Sequence, residues 1–287
     1  MTAANPLRLV QTARRTRRLL ADAPVPQGWR QQAVATQVRL AAGRVGCDGG
    51  HVTVGVGAFD VAGFSVDSLA YLHNEIFVKL AYFFRSSRPD PFVIDGGSNI
   101  GISVLFFKAL YPAARVLAFE PAARAHALLV RNVQANQLQQ VDVHRAALGR
   151  LDGDVTFYEE EDDPATFRMS TREGRIPGSA TTVPQRRLSD LVTEDVDLLK
   201  LDVEGAEEDV LDDLVRSRAI ERVDQVIVEY HHHLDPARDF LGRFLERLRE
   251  EGFACQVTGR QPVATRVERT PTFQDVLVHA FRSHAPG

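Results

Sequence analysis

The sequence predicts an α/β fold: a mostly parallel sheet with helices on both faces and an antiparallel C-terminal strand, preceded by an extension of helices and a hairpin. Three observations carry this expectation. From Pro91 onward, short apolar runs alternate with stretches of helical periodicity. The first run breaks into glycines and then into a helical pattern. Later runs end in acidic or histidine residues, as strands do whose ends line a cleft. Strands that alternate with helices form parallel sheets, because right-handed crossovers lay the helices over both faces.

Taken in order, residues 1 to about 45 are rich in Arg, Ala, Gln and Leu and read as one or two short amphipathic helices interrupted by Pro24 and Pro26. Residues 51–66 alternate Val52, Val54, Val56, Phe59 and Val61 with Thr and Gly, the pattern of a short hairpin. A helical segment runs from about Tyr71 to Phe84, and residues 1–90 are expected to form a cap or lid on a domain spanning 91–287. There, strands are expected at residues 92–94, 116–119, 141–147, 198–201 and 225–228, with helices following at 102–110, 122–136, 207–215 and 237–251. Residues 254–258 and 276–281 are expected to pair antiparallel. Residues 159–184 are acidic and then rich in Gly, Ser and Thr, and read as an ordered insertion or a mobile loop at the ligand-binding edge.

The chain has 287 residues, 44% of them hydrophobic, enough for a substantial core. Its 34 Lys plus Arg stand against 38 Asp plus Glu, so no broad cationic field disposes it to nucleic acid or to an anionic membrane. Two cysteines, Cys47 and Cys255, are too few and too far apart for a disulfide framework or a thiolate zinc site, and a cytoplasmic location is expected. The cluster Arg14, Arg15, Arg17 and Arg18 is read as a solvated helix face, with no signal-peptide or membrane-span run following it.

Four blocks carry chemistry. In the first, residues 93–101, Asp95 ends a strand and Gly97, Ser98, Asn99 and Gly101 turn the chain into a helix, which lets backbone approach a ligand closely. Asn99 stands where a dinucleotide fingerprint has its middle glycine, and Asn tolerates the left-handed conformation. In the second, Glu120 and Pro121 end the next strand; a carboxylate there can accept both hydroxyls of a ribose, or alternatively cap the following helix. In the third, residues 199–207, Asp202 and Glu204 are candidates to position a substrate, take its proton or hold a divalent cation, the alternative being helix capping and loop bonding. In the fourth, Glu229 leads into His231, His232 and His233. Adjacent residues of an extended chain point in alternating directions, so the three histidines cannot share one ion. His231 is the preferred general base, and Glu229 a supporting partner or alternative base.

Together these blocks resemble the FkbM family of S-adenosylmethionine-dependent methyltransferases, over about residues 71–255. The run Asp202-Val203-Glu204-Gly205-Ala206-Glu207 is the specific part of the likeness. The resemblance implies a Rossmann-like class I methyltransferase fold and transfer of a methyl group from S-adenosylmethionine to a hydroxyl of a small molecule, commonly a sugar or secondary metabolite. It implies that Asp95, Gly97, Ser98, Asn99, Gly101, Glu120, Pro121, Ala146 and Asp202 bind the cofactor, and that His231, Asp202 and Glu204 do the catalysis. Magnesium held between Asp202 and Glu229 is a further hypothesis, as is a homodimer.

Two readings of other classes compete. A nicotinamide-dependent oxidoreductase shares the strand, glycine turn, helix and acid, but this chain lacks Gly-x-Gly-x-x-Gly and has lysines only at 79, 108 and 200. A non-catalytic methyltransferase-like binding module would bind the cofactor without turnover.

Overall fold

The computed structural model of the protein describes residues 5–159, 169–170, 179–232, 240–259 and 274–282. The extension consists of α1 (Pro6–Leu19), α2 (Trp29–Ala41), an antiparallel sheet of β1 (Gly46–Asp48), β2 (His51–Val56) and β3 (Phe59–Gly63), and α3 (Val66–His73). Asn5 caps α1 through Leu7 N, with Pro6 at the first helical position, where a missing N–H is harmless. Ser65 and Ser68 form a reciprocal capping box at the start of α3. That helix runs straight into a π-helical turn, Asn74–Val78.

The main sheet begins with β4 (Phe92–Gly96), followed by α4 (Ile102–Leu110), β5 (Arg115–Phe119), α5 (Ala123–Ala135) and β6 (Val141–His144). The chain then leaves for a second sheet: β7 (Ala147–Gly149), β8 (Gly153–Glu159), β9 (Met169–Ser170) and β10 (Ser179–Arg187), in the order β7-β10-β8-β9. It returns with β11 (Leu198–Leu201), α6 (Glu207–Arg216), β12 (Gln225–His232), α7 (Leu241–Glu250), β13 (Phe253–Gly259) and β14 (Gln274–Arg282). The order across the main sheet is β13-β14-β12-β11-β4-β5-β6, parallel from β12 to β6, with β14 antiparallel between β12 and β13.

One expectation is corrected. The run expected as one strand over residues 141–147 is divided, because β6 ends at His144 and Ala147 belongs to the second sheet. Of the two alternatives for the segment up to Pro184, the described residues fit the ordered insertion: they include β9 and the first part of β10, which pairs with β8 from Ser179 to Gln185. The start of the helix expected at residue 237 lies outside the described residues, as does His233.

The strands alternate between two cores, as their period of two requires. Val93, Val116, Ala118, Leu198 and Ile227 face α4, α5 and the extension. Phe92, Ile94, Leu199, Leu201, Val226 and Val228 face α6 and α7. Helix α4 is buried along Ile102–Lys108, which explains why it is apolar nearly all round: the sheet covers one side and the extension the other. Trp29 stacks on Phe77 at 5.2 Å and meets the edge of Phe106 at 5.4 Å, so α2, the π turn and α4 share one aromatic cluster. The buried Asn132 of α5 joins three elements. Its Nδ2 donates to the carbonyls of Ala62 (3.0 Å) and Ile100 (2.7 Å), and its Oδ1 accepts from Ala62 N at 2.8 Å.

Replacing Trp29 with Ala is expected to lower stability by about 3–5 kcal/mol through the cavity it leaves. If extension and sheet share one core, urea unfolding will remain a single transition. It should be followed by far-UV circular dichroism, since Trp29 is the chain's only tryptophan.

Candidate active site

The connections from β4 to β5 and from β11 to β12 leave in opposite directions along the sheet, so β4 and β11 flank the point where the strand order reverses. Ligands of open α/β sheets bind in the crevice outside the carboxyl ends at such a point. The glycine turn after β4 closes one side of that crevice and residues 202–206 after β11 the other.

Glycine is obligatory at two places in the turn. Gly97 has φ 80°, and a Cβ there would lie 1.9 Å from the Asp202 carbonyl oxygen, so two backbones touch where no side chain fits. Gly101 has φ 88°, and a Cβ would meet Leu129 Cδ1 at 2.6 Å, where α5 packs on the start of α4. Asn99 takes the expected left-handed conformation, φ 49°, and its Oδ1 accepts from Ile100 N at 2.7 Å. The turn's own amides bind protein: Gly97 N and Ser98 N both donate to Phe119 O, and Ser98 Oγ donates to Asp95 O. These two amides and the Ser98 hydroxyl thus shape the turn.

Asp95 likewise lies beneath the turn, fully buried. Its Oδ2 accepts from Ser103 Oγ at 2.5 Å and its Oδ1 stands 3.1 Å from Lys200 Nζ. Lys200, buried on β11, donates to Gly97 O at 2.5 Å and Gly96 O at 3.2 Å and lies 3.7 Å from Asp202 Oδ2. Burial alone would lower the ammonium's pKa, but Asp95, Asp202 and Glu229 together hold it above its ordinary value. Asp95 therefore supports the turn and does not face the crevice.

Glu120 is also buried, yet its carboxylate sits at the crevice edge of β5. Oε2 accepts from Asn99 N at 2.8 Å and Oε1 from Ala122 N at 2.9 Å. Each oxygen keeps a second lone pair, the capacity needed for two adjacent hydroxyls. Burial raises its pKa to about 7 against the lowering effect of the two amides. Pro121 follows it, and Ala146 is packed in the core beside Phe119 and Leu148.

Across the crevice, Asp202, Glu204 and His231 each place a ligand-type atom within 4.8 Å of the others. Glu204 adopts a left-handed conformation, φ 56°, that costs a non-glycine residue roughly 1–2 kcal/mol. His231 Nδ1 bonds Glu207 Oε1 at 2.7 Å, and Nε2 stands 3.3 Å from Glu204 Oε2 and 3.9 Å from Asp202 Oδ1. Glu207, the first residue of α6, also accepts from Gly205 N at 3.0 Å, and Ala206 stands at the N-cap with no side-chain cap bond. Burial would lower the pKa of His231, but Glu204, Glu207 and Asp202 raise it to about 10. A pKa of about 10 favours the imidazolium at neutral pH, a cation beside Glu204, Glu207 and Asp202, whereas the base role expected of it needs the neutral ring. Glu229 joins the site through Tyr82, whose hydroxyl lies 3.4 Å from both Glu229 Oε2 and Asp202 Oδ2.

The sequence pattern does not single out Tyr82, Glu207 or Lys200. Lys200 had a signal, a charged residue inside the apolar run Leu198–Leu201; Tyr82 had none, because only tertiary folding brings it to the acids.

A glycine turn, a buried acid ending the next strand and an acidic edge on β11, set on this strand order, define the Rossmann-like methyltransferase class. The model of the FkbM methyltransferase domain matches residues 95–255. Methyltransferase 1 of Beauveria bassiana is 32% identical over 208 residues, 65% of this chain and 82% of that protein. The 31-O-demethyl-FK506 methyltransferase FkbM of Streptomyces tacrolimicus is 31% identical over 254 residues, 76% of this chain and 91% of that one. The solved fibrillarin of Aeropyrum pernix, bound to S-adenosyl-L-methionine, aligns with a TM-score of 0.41 at 13% identity over 70% of this chain and 71% of its own. The chain belongs to the FkbM family and is an S-adenosylmethionine-dependent methyltransferase.

The raised pKa of His231 carries a stability consequence with a definite sign. A histidine near 10 when folded and 6.5 when unfolded contributes stability fully present below about pH 6.5 and lost as pH rises through 10. Urea midpoints measured at pH 6.5 and 9.5 are expected to differ more in the natural protein than in His231→Gln; equal differences would refute the assignment.

Proposed function

We propose that the protein is an O-methyltransferase that moves the methyl group of S-adenosylmethionine to a hydroxyl of a small molecule, a sugar or secondary metabolite. The observation that carries this is the pairing, across one crevice, of Glu120, with acceptor capacity for a ribose, and the acid group of Asp202 and Glu204. Two relatives support transfer to oxygen by name: the FkbM protein above and the 2-O-methyltransferase NoeI of Sinorhizobium fredii, 29% identical over 181 residues, 55% of this chain and 73% of that protein.

When bound, the donor supplies an electrophilic methyl group on a positively charged sulfur. In this reading Glu120 holds its ribose, the turn from Gly97 to Gly101 gives close backbone approach, and residues about Ala146 flank the base. The acids of the crevice outnumber its cations, Lys200 and His231, which favours a positively charged ligand. An acceptor hydroxyl becomes strongly acidic as its oxygen bonds to carbon, so a carboxylate is a sufficient proton sink. Asp202 and Glu204 fill that role, each a quarter exposed and held by His231, which Glu207 fixes in turn. Much of the rate then comes from holding the oxygen in line with the breaking bond.

Magnesium does not fit this donor set well. The ligand atoms that converge are two carboxylates and an imidazole, whereas magnesium takes oxygen ligands; Glu229 is separated from Asp202 by the Tyr82 hydroxyl. No step is therefore routed through it. Binding of S-adenosylhomocysteine is expected to be unchanged by EDTA, and a loss of affinity on chelation would restore the metal.

Because Glu120 titrates near pH 7, calorimetric affinity for S-adenosylhomocysteine is expected to weaken as pH falls below 7, approaching tenfold per unit. In Glu120→Gln the affinity should be lower and this dependence lost. Binding of NAD in place of S-adenosylhomocysteine would favour the oxidoreductase reading. Tight binding with no methyl transfer to any acceptor would favour the non-catalytic module.

A further inference from the structure

The segment that brings Tyr82 to the acids is built at a conformational cost. A π-helical turn at Asn74–Val78 precedes Leu80, whose φ of 59° is unfavourable for a residue with a side chain. The backbone beyond is then tied down, with His279 of β14 donating from Nε2 to Ala81 O at 3.0 Å. The result is a buried tyrosine whose ring lies 5.1 Å from the Lys200 ammonium and whose hydroxyl stands 3.4 Å from a carboxylate oxygen on each of Asp202 and Glu229. The hydroxyl stands between two carboxylates that would otherwise repel one another, and its one proton is shared between them or alternates from one to the other. Asp202 is thereby held by Oδ2 toward Tyr82 and Lys200, while Oδ1 faces His231 at 3.9 Å.

We propose that Tyr82 is a positioning residue that fixes Asp202 and Glu229 in place and thereby sets the site's preference for the cationic form of the methyl donor over its neutral product. This rests on the donor reading above. It makes the extension part of the active site: a strained segment before the first strand of the main sheet orients Asp202, just past β11, and Glu229 within β12.

The probes are S-adenosylmethionine, its cationic amine analogue sinefungin, and neutral S-adenosylhomocysteine, titrated calorimetrically into the natural protein, Tyr82→Phe, Glu229→Gln and the double variant. Phenylalanine keeps the ring and its contact with Lys200 and removes only the hydroxyl. The expected result is that Tyr82→Phe binds S-adenosylhomocysteine as the natural protein does, while its preference for the two cations falls about tenfold. The two substitutions should be non-additive, because they break the same interaction. An unchanged preference in Tyr82→Phe overturns the proposal, as does an equal loss for all three ligands, which would make the hydroxyl a support for the pocket as a whole. Failure of the natural protein to bind any of the three would instead overturn the donor reading itself.

Discussion

Lys200 carries its charge where water is excluded, and the chain around it is arranged to keep it there. Its ammonium satisfies the Gly96 and Gly97 carbonyls and faces Asp95, so the glycine turn after β4 is held from below by a side chain of β11. Removing one partner of such a pair leaves an uncompensated buried charge, typically at a cost of about 3–5 kcal/mol. The close approach of Gly97 to the Asp202 carbonyl, the placing of Asp202 beside Tyr82, and the route of the turn toward Glu120 all follow from this bond between neighbouring strands.

Apart from Glu120, the carboxylates in and beneath the crevice fall into two electrostatic kinds. Asp95 and Glu207 are buried, each facing its own cation, and serve the architecture. Asp202 and Glu204 keep part of their surface in solvent while sharing those same cations. A site with this division can attract a positively charged ligand without placing an isolated charge in the core.

Most of the main sheet was legible because its strands are short apolar runs ending in glycine or acid, and because α4, α5 and α6 follow at the distances a crossover needs. The second sheet was not. β10 alternates Thr, Gln and Arg with few apolar residues and is largely exposed, so it carries no periodic signal. The change of sheet between His144 and Ala147 was equally hidden, since both sides of it are extended chain. In the site, spacing along the chain located Glu120, Asp202, Glu204 and His231. It could not show that Asp95 and Ser98 turn inward, because direction depends on Lys200 and on the bend of the turn itself.

Asn132 gives the extension a mechanical role. One buried amide grips the β3 backbone at Ala62 by both its carbonyl and its N–H, and with the same nitrogen grips the carbonyl of Ile100 inside the glycine turn. A shift of the hairpin by a fraction of an ångström must therefore either break a hydrogen bond inaccessible to water or be passed to the turn. One side chain thus couples the hairpin's position to that of the glycine turn, which makes residues of β3 part of what holds the turn in shape.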